Sequence, residues 1–218
     1  FNRFKDWFWF HHHAAAAAKS PAKYRPHHNL GIAFMEHGDS EWARNELEKA
    51  LSIDPTYPKA DSSYNILGRI YLERSEYDRA QYALTQAIAL RNDFADAHNN
   101  LGVAYDKRGE QAKATAEYKL AIEYDPALTD AYDNLGLIYV KQGRYSEAME
   151  PYLKVAELDP GNSGAHNDLG NLYAIQGDYS KALSEYRAAL AIDPNNQGAR
   201  ANIQRLQGMQ AGTGAGSR

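Results

Sequence analysis

Along most of the chain, apolar residues recur at intervals of three and four, the spacing that gathers them on one face of a helix. The pattern itself repeats. Leu-Gly pairs stand at Leu30-Gly31, Leu67-Gly68, Leu101-Gly102, Leu135-Gly136 and Leu169-Gly170, separated by 37, 34, 34 and 34 residues. Three residues after each glycine comes an aromatic: Phe34, Tyr71, Tyr105, Tyr139 and Tyr173. Four residues on is a turn residue: Gly38, Ser75, Gly109, Gly143 and Gly177. Then come Ala43, Ala80, Ala114, Ala148 and Ala182, followed by Leu47, Leu84, Tyr118, Tyr152 and Tyr186. Asp-Pro closes four of the five units, at Asp54-Pro55, Asp125-Pro126, Asp159-Pro160 and Asp193-Pro194; Arg91-Asn92 stands in its place once.

Each slot has a physical reason. Two apolar-periodic stretches flanking a turn residue make a helix–turn–helix hairpin. The Leu-Gly glycine falls inside the first helix, where it costs about 1 kcal/mol against alanine. A cost that recurs at one slot points to close helix approach, since glycine carries no Cβ, and the alanine slots serve the same end. The proline after Asp ends the second helix, because it disfavours α geometry in the residue before it. A single hairpin cannot bury its own apolar face, but stacked neighbours can.

These phased slots resemble the tetratricopeptide repeat, over residues 24–196, which is 173 of the 218. The resemblance implies an all-α, right-handed α-solenoid of antiparallel helix pairs whose first helices line a concave groove. Its units are expected at 24–57, 61–94, 95–128, 129–162 and 163–196. Pro58-Lys59-Ala60 is a three-residue insertion, expected to lengthen the next helix or to loop out. Pro151 sits inside a second helix, where it removes the amide that would bond Glu147, and predicts a kink or a late helix start. Residues 197–210 continue as a helix with Ala199, Ile203 and Leu206 on one side and Arg200, Gln204, Arg205 and Gln207 on the other. That is the polar-backed capping helix a solenoid needs. Residues 211–218, rich in Gly, Ala, Ser and Thr, read as a disordered tail.

The charge, 24 basic against 28 acidic residues, is small and of the wrong sign for a general nucleic-acid binder. With no cysteine there is no disulfide framework, thiol nucleophile or Cys-ligated metal site. No apolar run approaches the length that spans a bilayer. The localisation is open between cytoplasm and periplasm. A chain opening on Phe1 reads as processed or truncated, with room for a leader or anchor removed upstream.

Histidine invites a metal reading. His27, His98 and His166 each lie four residues before the Leu-Gly glycine, in a slot that Tyr64 and Tyr132 fill elsewhere. The shared slot makes them packing residues. His27-His28 lacks a third ligand and His37 reads as a turn residue, so no metal and no cofactor is expected. Asparagine is the better signal, because it is a poor helix former that recurs on helices here. Asn29, Asn100, Asn134 and Asp168 immediately precede the Leu-Gly pair; Asn99, Asp133 and Asn167 stand one residue earlier, with Asn65 in the matching region of the second unit. An amide offers donor and acceptor together and can pair with a peptide backbone without reading its sequence. Asn29, Asn100 and Asn134 resemble the asparagine ladder in the repeats of O-linked N-acetylglucosamine transferase, which implies that they hold an extended peptide; Ile66 and Asp168 depart from it. The alternative is that these amides bond neighbouring helices or water. A carboxylate-gripping groove of the chaperone-binding kind needs basic residues; here Asp96, Asp130 and Asp133 outnumber Arg25 and Arg69, so a neutral or basic segment fits better. No Ser/His/Asp order, P-loop or dinucleotide motif appears, and no catalytic residue is expected.

The first ten residues differ from all that follows. Phe1, Phe4, Trp7, Phe8, Trp9 and Phe10 stand among Arg3, Lys5 and Asp6. Such a segment packs on the first repeat or in a groove, binds a partner, meets the membrane–water interface, or is an artefact of cloning. His11–His13 and Ala14–Ala18 read as a tag remnant and linker outside the fold. The expectation is a non-catalytic protein–protein interaction scaffold that takes an extended peptide in its groove. Its alternative is a membrane-tethered structural subunit or assembly factor of an envelope complex of secretion or pilus type, held through residues 1–10.

Overall fold

The computed structural model describes residues 14–16 and 18–215, with side chains to residue 208. The aromatic contacts expected of Phe1, Phe4, Trp7, Phe8, Trp9 and Phe10 lie outside the described residues. Among those described there is no strand. The chain divides into two compact units, Phe1–Tyr124 and Asp125–Arg218.

The first unit holds three hairpins: α1 (Tyr24–Glu36) with α2 (Ser40–Ile53), α3 (Ala60–Glu73) with α4 (Tyr77–Leu90), and α5 (Ala95–Lys107) with α6 (Gln111–Tyr124). Each hairpin packs on the next, α2 on α3 and α4 on α5, and the first helices α3 and α5 also touch. The second unit holds α7 (Thr129–Lys141) with α8 (Tyr145–Leu158) and α9 (Ser163–Ile175) with α10 (Tyr179–Ile192), closed by α11 (Gln197–Ala215). Here α8 packs on α9, and α11 packs on α10.

The repeated slots form the core. Ala43, Ala80, Ala114, Ala148 and Ala182 are fully buried, as are Leu47, Leu84 and Tyr186. The reason for the Leu-Gly glycine is steric: a Cβ on Gly31 would stand 2.6 Å from Leu47 Cγ, and one on Gly102 would stand 2.5 Å from Tyr118 Cε1. The Asp of Asp-Pro has a second task, because its carboxylate accepts the backbone N–H two residues on. Thr56 and Ala127 donate to Asp54 and Asp125 at 2.9 Å, Gly161 to Asp159 at 3.1 Å and Asn195 to Asp193 at 2.9 Å. Each is an Asx turn that fixes the bend into the next hairpin.

Four details refine the sequence reading. The insertion is shared out: six residues, 54–59, join α2 to α3 where four join the other hairpins, and α3 is one residue longer than α5. Lys59 turns the corner at φ 96°. The helix carrying Pro151 starts at Tyr145, in register with Tyr77 and Tyr179, so there is no late start. Helix α11 runs to Ala215, past the expected end at 210. Ala14, assigned to a linker, packs beside Met35 and Ile66 on the cluster of Leu30, Phe34, Ala43 and Ile70.

Candidate functional site

In the histidine slot each ring is paired with a glutamate of the second helix. His27 Nδ1 donates to Glu46 Oε2 at 2.6 Å, His98 Nδ1 to Glu117 Oε2 at 2.7 Å and His166 Nδ1 to Glu185 Oε2 at 2.7 Å. Each pair is 19 residues apart and ties the first helix of a hairpin to the second. In the two units where Tyr64 and Tyr132 replace histidine, the position 19 residues on holds Ala83 or Pro151. Pro151 thus occupies a second-helix slot that takes a small residue or a carboxylate according to its partner, and it is buried there. The His98 ring faces acceptors at both nitrogens, Glu117 at Nδ1 and the Asn92 carbonyl at Nε2, 2.9 Å away. Two acceptors call for two N–H groups, so this geometry favours the protonated ring. Burial pulls the His98 pKa down, but the Glu117 and Asn92 bonds outweigh it and the net shift is upward. Among the described residues no cluster of His, Asp and Glu is suited to a metal ion.

His28 is different. Its Nδ1 lies 2.8 Å from Ser63 Oγ and 2.9 Å from Tyr57 Oη, and those two oxygens are 2.6 Å apart. The three groups are buried where the first hairpin meets the second. Burial, then nearby Lys59, lowers the His28 pKa, which favours the neutral ring that can accept from a hydroxyl.

The asparagines pair across adjacent first helices. In the first unit Asn100 Nδ2, on α5, donates to Asn65 Oδ1, on α3, at 2.9 Å. In the second unit Asn202 Nδ2, on α11, donates to Asn167 Oδ1, on α9, at 3.1 Å. Both pairs are 35 residues apart (100 − 65 and 202 − 167). Asn65 and Asn99 are buried, whereas Asn29, Asn100, Asn134 and Asn167 are half-buried. In the second unit Ile66 fills the slot that Asn100 fills in the third, and the residue it would pair with in this register is His28, so no amide pair forms there. The neighbour-bonding role therefore accounts for Asn65, Asn100 and Asn167.

The same 35-residue relation joins two acids, Asp133 on α7 and Asp168 on α9. Burial raises the pKa of Asp168, the charge of Asp133 raises it further, and amide bonds from Asn167 and Asn171 at 3.3 and 3.4 Å offset part of this. Asp133 is raised by desolvation and by Asp130. Its side chain meets solvent, yet enough of the surrounding space is protein to weaken its hydration.

Sequence reasoning missed Asn171 and Asn202. Asn202 Nδ2 also donates to Asn171 Oδ1 at 2.9 Å, and the Tyr186 hydroxyl donates to the same oxygen at 2.9 Å. The signal that finds Asn202 is its spacing from Asn167, the spacing of Asn100 from Asn65. Beside these amides is an open cavity of about 630 Å³, lined also by Ile175, Tyr179, Arg205 and Leu206.

Family models described as tetratricopeptide or TPR repeat match residues 24–57, 68–109, 105–143 and 134–197. No curated protein matches the chain. Among solved structures, MamA is 27% identical with a TM-score of 0.68, covering 76% of this chain and 95% of MamA. YrrB, described as a TPR protein with an unusual peptide-binding site, is 23% identical with a TM-score of 0.70, covering 88% of this chain and 97% of YrrB. A thermophilic TPR protein of Thermus thermophilus is 20% identical with a TM-score of 0.61, covering 84% of this chain and 99% of its own. The last two likenesses bear on the fold alone. TPR proteins are generally non-catalytic, and the fold supports a protein–protein interaction scaffold. On its five phased hairpins, its glycine-to-core contacts and these matches, the chain belongs to the tetratricopeptide repeat family.

Proposed function

We propose that this protein is a scaffold whose first-helix faces hold an extended, neutral or basic segment of a partner protein, without catalysis. The observation that carries the reading is the amide register. Asn65 and Asn100 in one unit, and Asn167 and Asn202 in the other, present paired carboxamides on adjacent first helices or the cap. A single bond does not exhaust a carboxamide, which has two N–H donors and a two-lone-pair acceptor, so the half-buried members keep capacity for a peptide backbone. Asn29, Asn99, Asn134 and Asp168 belong to the same set by position. Asp133 and Asp168 supply the charge preference, since a carboxylate ligand there meets like charge.

The test uses the full chain and an arrayed library of short unstructured peptides. Asn100→Ala with Asn134→Ala is expected to weaken the bound peptides by about 1 kcal/mol or more, the net contribution of a hydrogen bond. A smaller loss counts against the ladder. Lys- and Arg-bearing peptides are expected to be enriched over Asp- and Glu-bearing ones, with the preference fading as salt rises.

A further inference from the structure

We propose that the C-terminal helix extends the binding face beyond the fifth repeat: Asn202 is a sixth rung, and the cavity beside it takes an apolar side chain of the bound segment. The inference rests on the peptide-binding reading above and assigns a subsite to it. Four observations support it.

Asn202 stands to Asn167 as Asn100 stands to Asn65, with the same 35-residue spacing and the same Nδ2-to-Oδ1 direction. A helix whose task ended at covering the last hairpin needs Ala199 and Leu206, which are buried. It has no need of an asparagine aimed at the ladder.

The network is polarised. Asn202 directs its amide hydrogens to Asn167 Oδ1 and Asn171 Oδ1. Those two residues pass their own N–H groups to Asp168. Every bond runs the same way, so the orientation of the Asn202 amide follows from the chain of donors. Its carbonyl is then the atom left to accept a backbone N–H from a ligand.

The cavity has matching walls. Ile175 is 53% exposed and Tyr179 is 40% exposed, large apolar surface beside a polar rung. Burial of one aliphatic or aromatic ligand side chain against them, with a peptide N–H on Asn202, satisfies both kinds of surface at once.

Arg205 lines the same cavity, and its guanidinium sits against the Tyr186 hydroxyl, whose own proton goes to Asn171. Its remaining N–H groups provide the donor for the carbonyl that follows the ligand's apolar residue. The occupant is therefore an extended peptide with an apolar residue at this point, reached from a neutral or basic stretch over Asp133 and Asp168.

The experiment compares the wild-type full chain with Asn202→Ala, Ile175→Ser and Asn100→Ala on one arrayed peptide library, with thermal melts alongside. Asn202→Ala is expected to lose about tenfold in affinity, the contribution of one backbone hydrogen bond. Ile175→Ser alters an exposed side chain, so it leaves the melt unchanged and erases the preference for an apolar residue at one peptide position. Wild-type affinities in both variants, with Asn100→Ala still weakened, would overturn the sixth rung and leave the groove intact. Absence of peptide binding by the wild-type chain overturns both readings.

Discussion

Gly170 and Tyr186 are made for each other: a Cβ on the glycine would stand 2.5 Å from the tyrosine's Cε1 and 2.6 Å from its Cδ1. Tyr186 is fully buried and its hydroxyl is bonded to Asn171, so the ring has little freedom to withdraw. Gly170→Ala gains about 1 kcal/mol of helix propensity. It also forces overpacking that costs roughly 1–3 kcal/mol. The net expectation is a loss of up to about 2 kcal/mol, read by urea unfolding. Gly136 is more forgiving, with its nearest Tyr152 atoms at 2.9 Å. Gly136→Ala is therefore expected to lose less than Gly170→Ala; the reverse order would contradict the steric account.

The 19-residue pairing makes a second prediction. His98→Tyr alone puts a larger ring beside Glu117 and removes its donor, and Glu117→Ala alone removes the acceptor that His98 faces. The double substitution recreates the combination found at Tyr64 and Ala83. It is expected to be more stable than the sum of the singles by about 1–3 kcal/mol, measured as a double-mutant cycle. The wild-type pair also carries a pH signature. The folded pKa of His98 is raised, so its contribution is fully present below the unfolded value of about 6.5. That contribution is lost as pH rises through the folded value. Glu117→Gln is expected to shift the His98 titration downward in NMR and to flatten the fall of stability as pH rises from about 6.5.

Much of this architecture was legible in the sequence because it is set by local sterics repeated five times. The Leu-Gly slot, the alanine slots and Asp-Pro each have one physical cause, and repetition separates the cause from chance. The histidines were legible as packing residues from their slot, but their glutamate partners were not. Glu46, Glu117 and Glu185 read as ordinary helix carboxylates until the fold brings positions 19 apart face to face. The ladder was half legible: residue type and phase were visible, whereas the cross-helix bonding of Asn65, Asn100 and Asn167 depends on how hairpins stack. Asn202 was hidden because it lies beyond the last Leu-Gly pair, where a one-sided apolar pattern suggested only a cap. Ala14 was set aside on composition alone, and composition does not record what an alanine run packs against.

Asp168 yields a prediction whose sign follows from its surroundings. Burial and Asp133 raise its folded pKa above that of the unfolded chain. The folded state then binds the proton more tightly, so stability falls as pH rises from the unfolded value through the folded one. Above that window the penalty of the ionised pair is fully present. Asp168→Asn places in this register the residue that Asn100 already represents, and removes the repulsion. The expected gain at neutral pH is on the order of 1 kcal/mol, the scale of one side-chain hydrogen bond. Thermal melts at neutral and mildly acidic pH check it: the variant is expected to melt higher at neutrality and to vary less between the two. A variant that melts lower at neutrality would mean that Asp168 is stabilised by its amide neighbours more than it is strained by Asp133.

The turn of the second hairpin offers a cleaner stability test. Gly38, Gly109, Gly143 and Gly177 occupy left-handed geometry, with φ between 71° and 81°, and Ser75 adopts it with a side chain, at φ 60°. An L-residue there costs about 1–2 kcal/mol through its Cβ. Glycine gives back roughly 0.5–1 kcal/mol of that because it loses more backbone freedom on folding. Ser75→Gly is therefore expected to stabilise the first unit by about 0.5–1 kcal/mol, with the backbone bonds Ser75 N–H to Leu72 O and Glu76 N–H to Tyr71 O retained. Gly109→Ser, the reverse change one repeat later, is expected to destabilise by a similar amount, since nothing within 4 Å would compensate it. Paired urea melts of the two variants decide the matter, because opposite signs at equivalent positions are what a backbone origin requires and what a local side-chain contact would not produce.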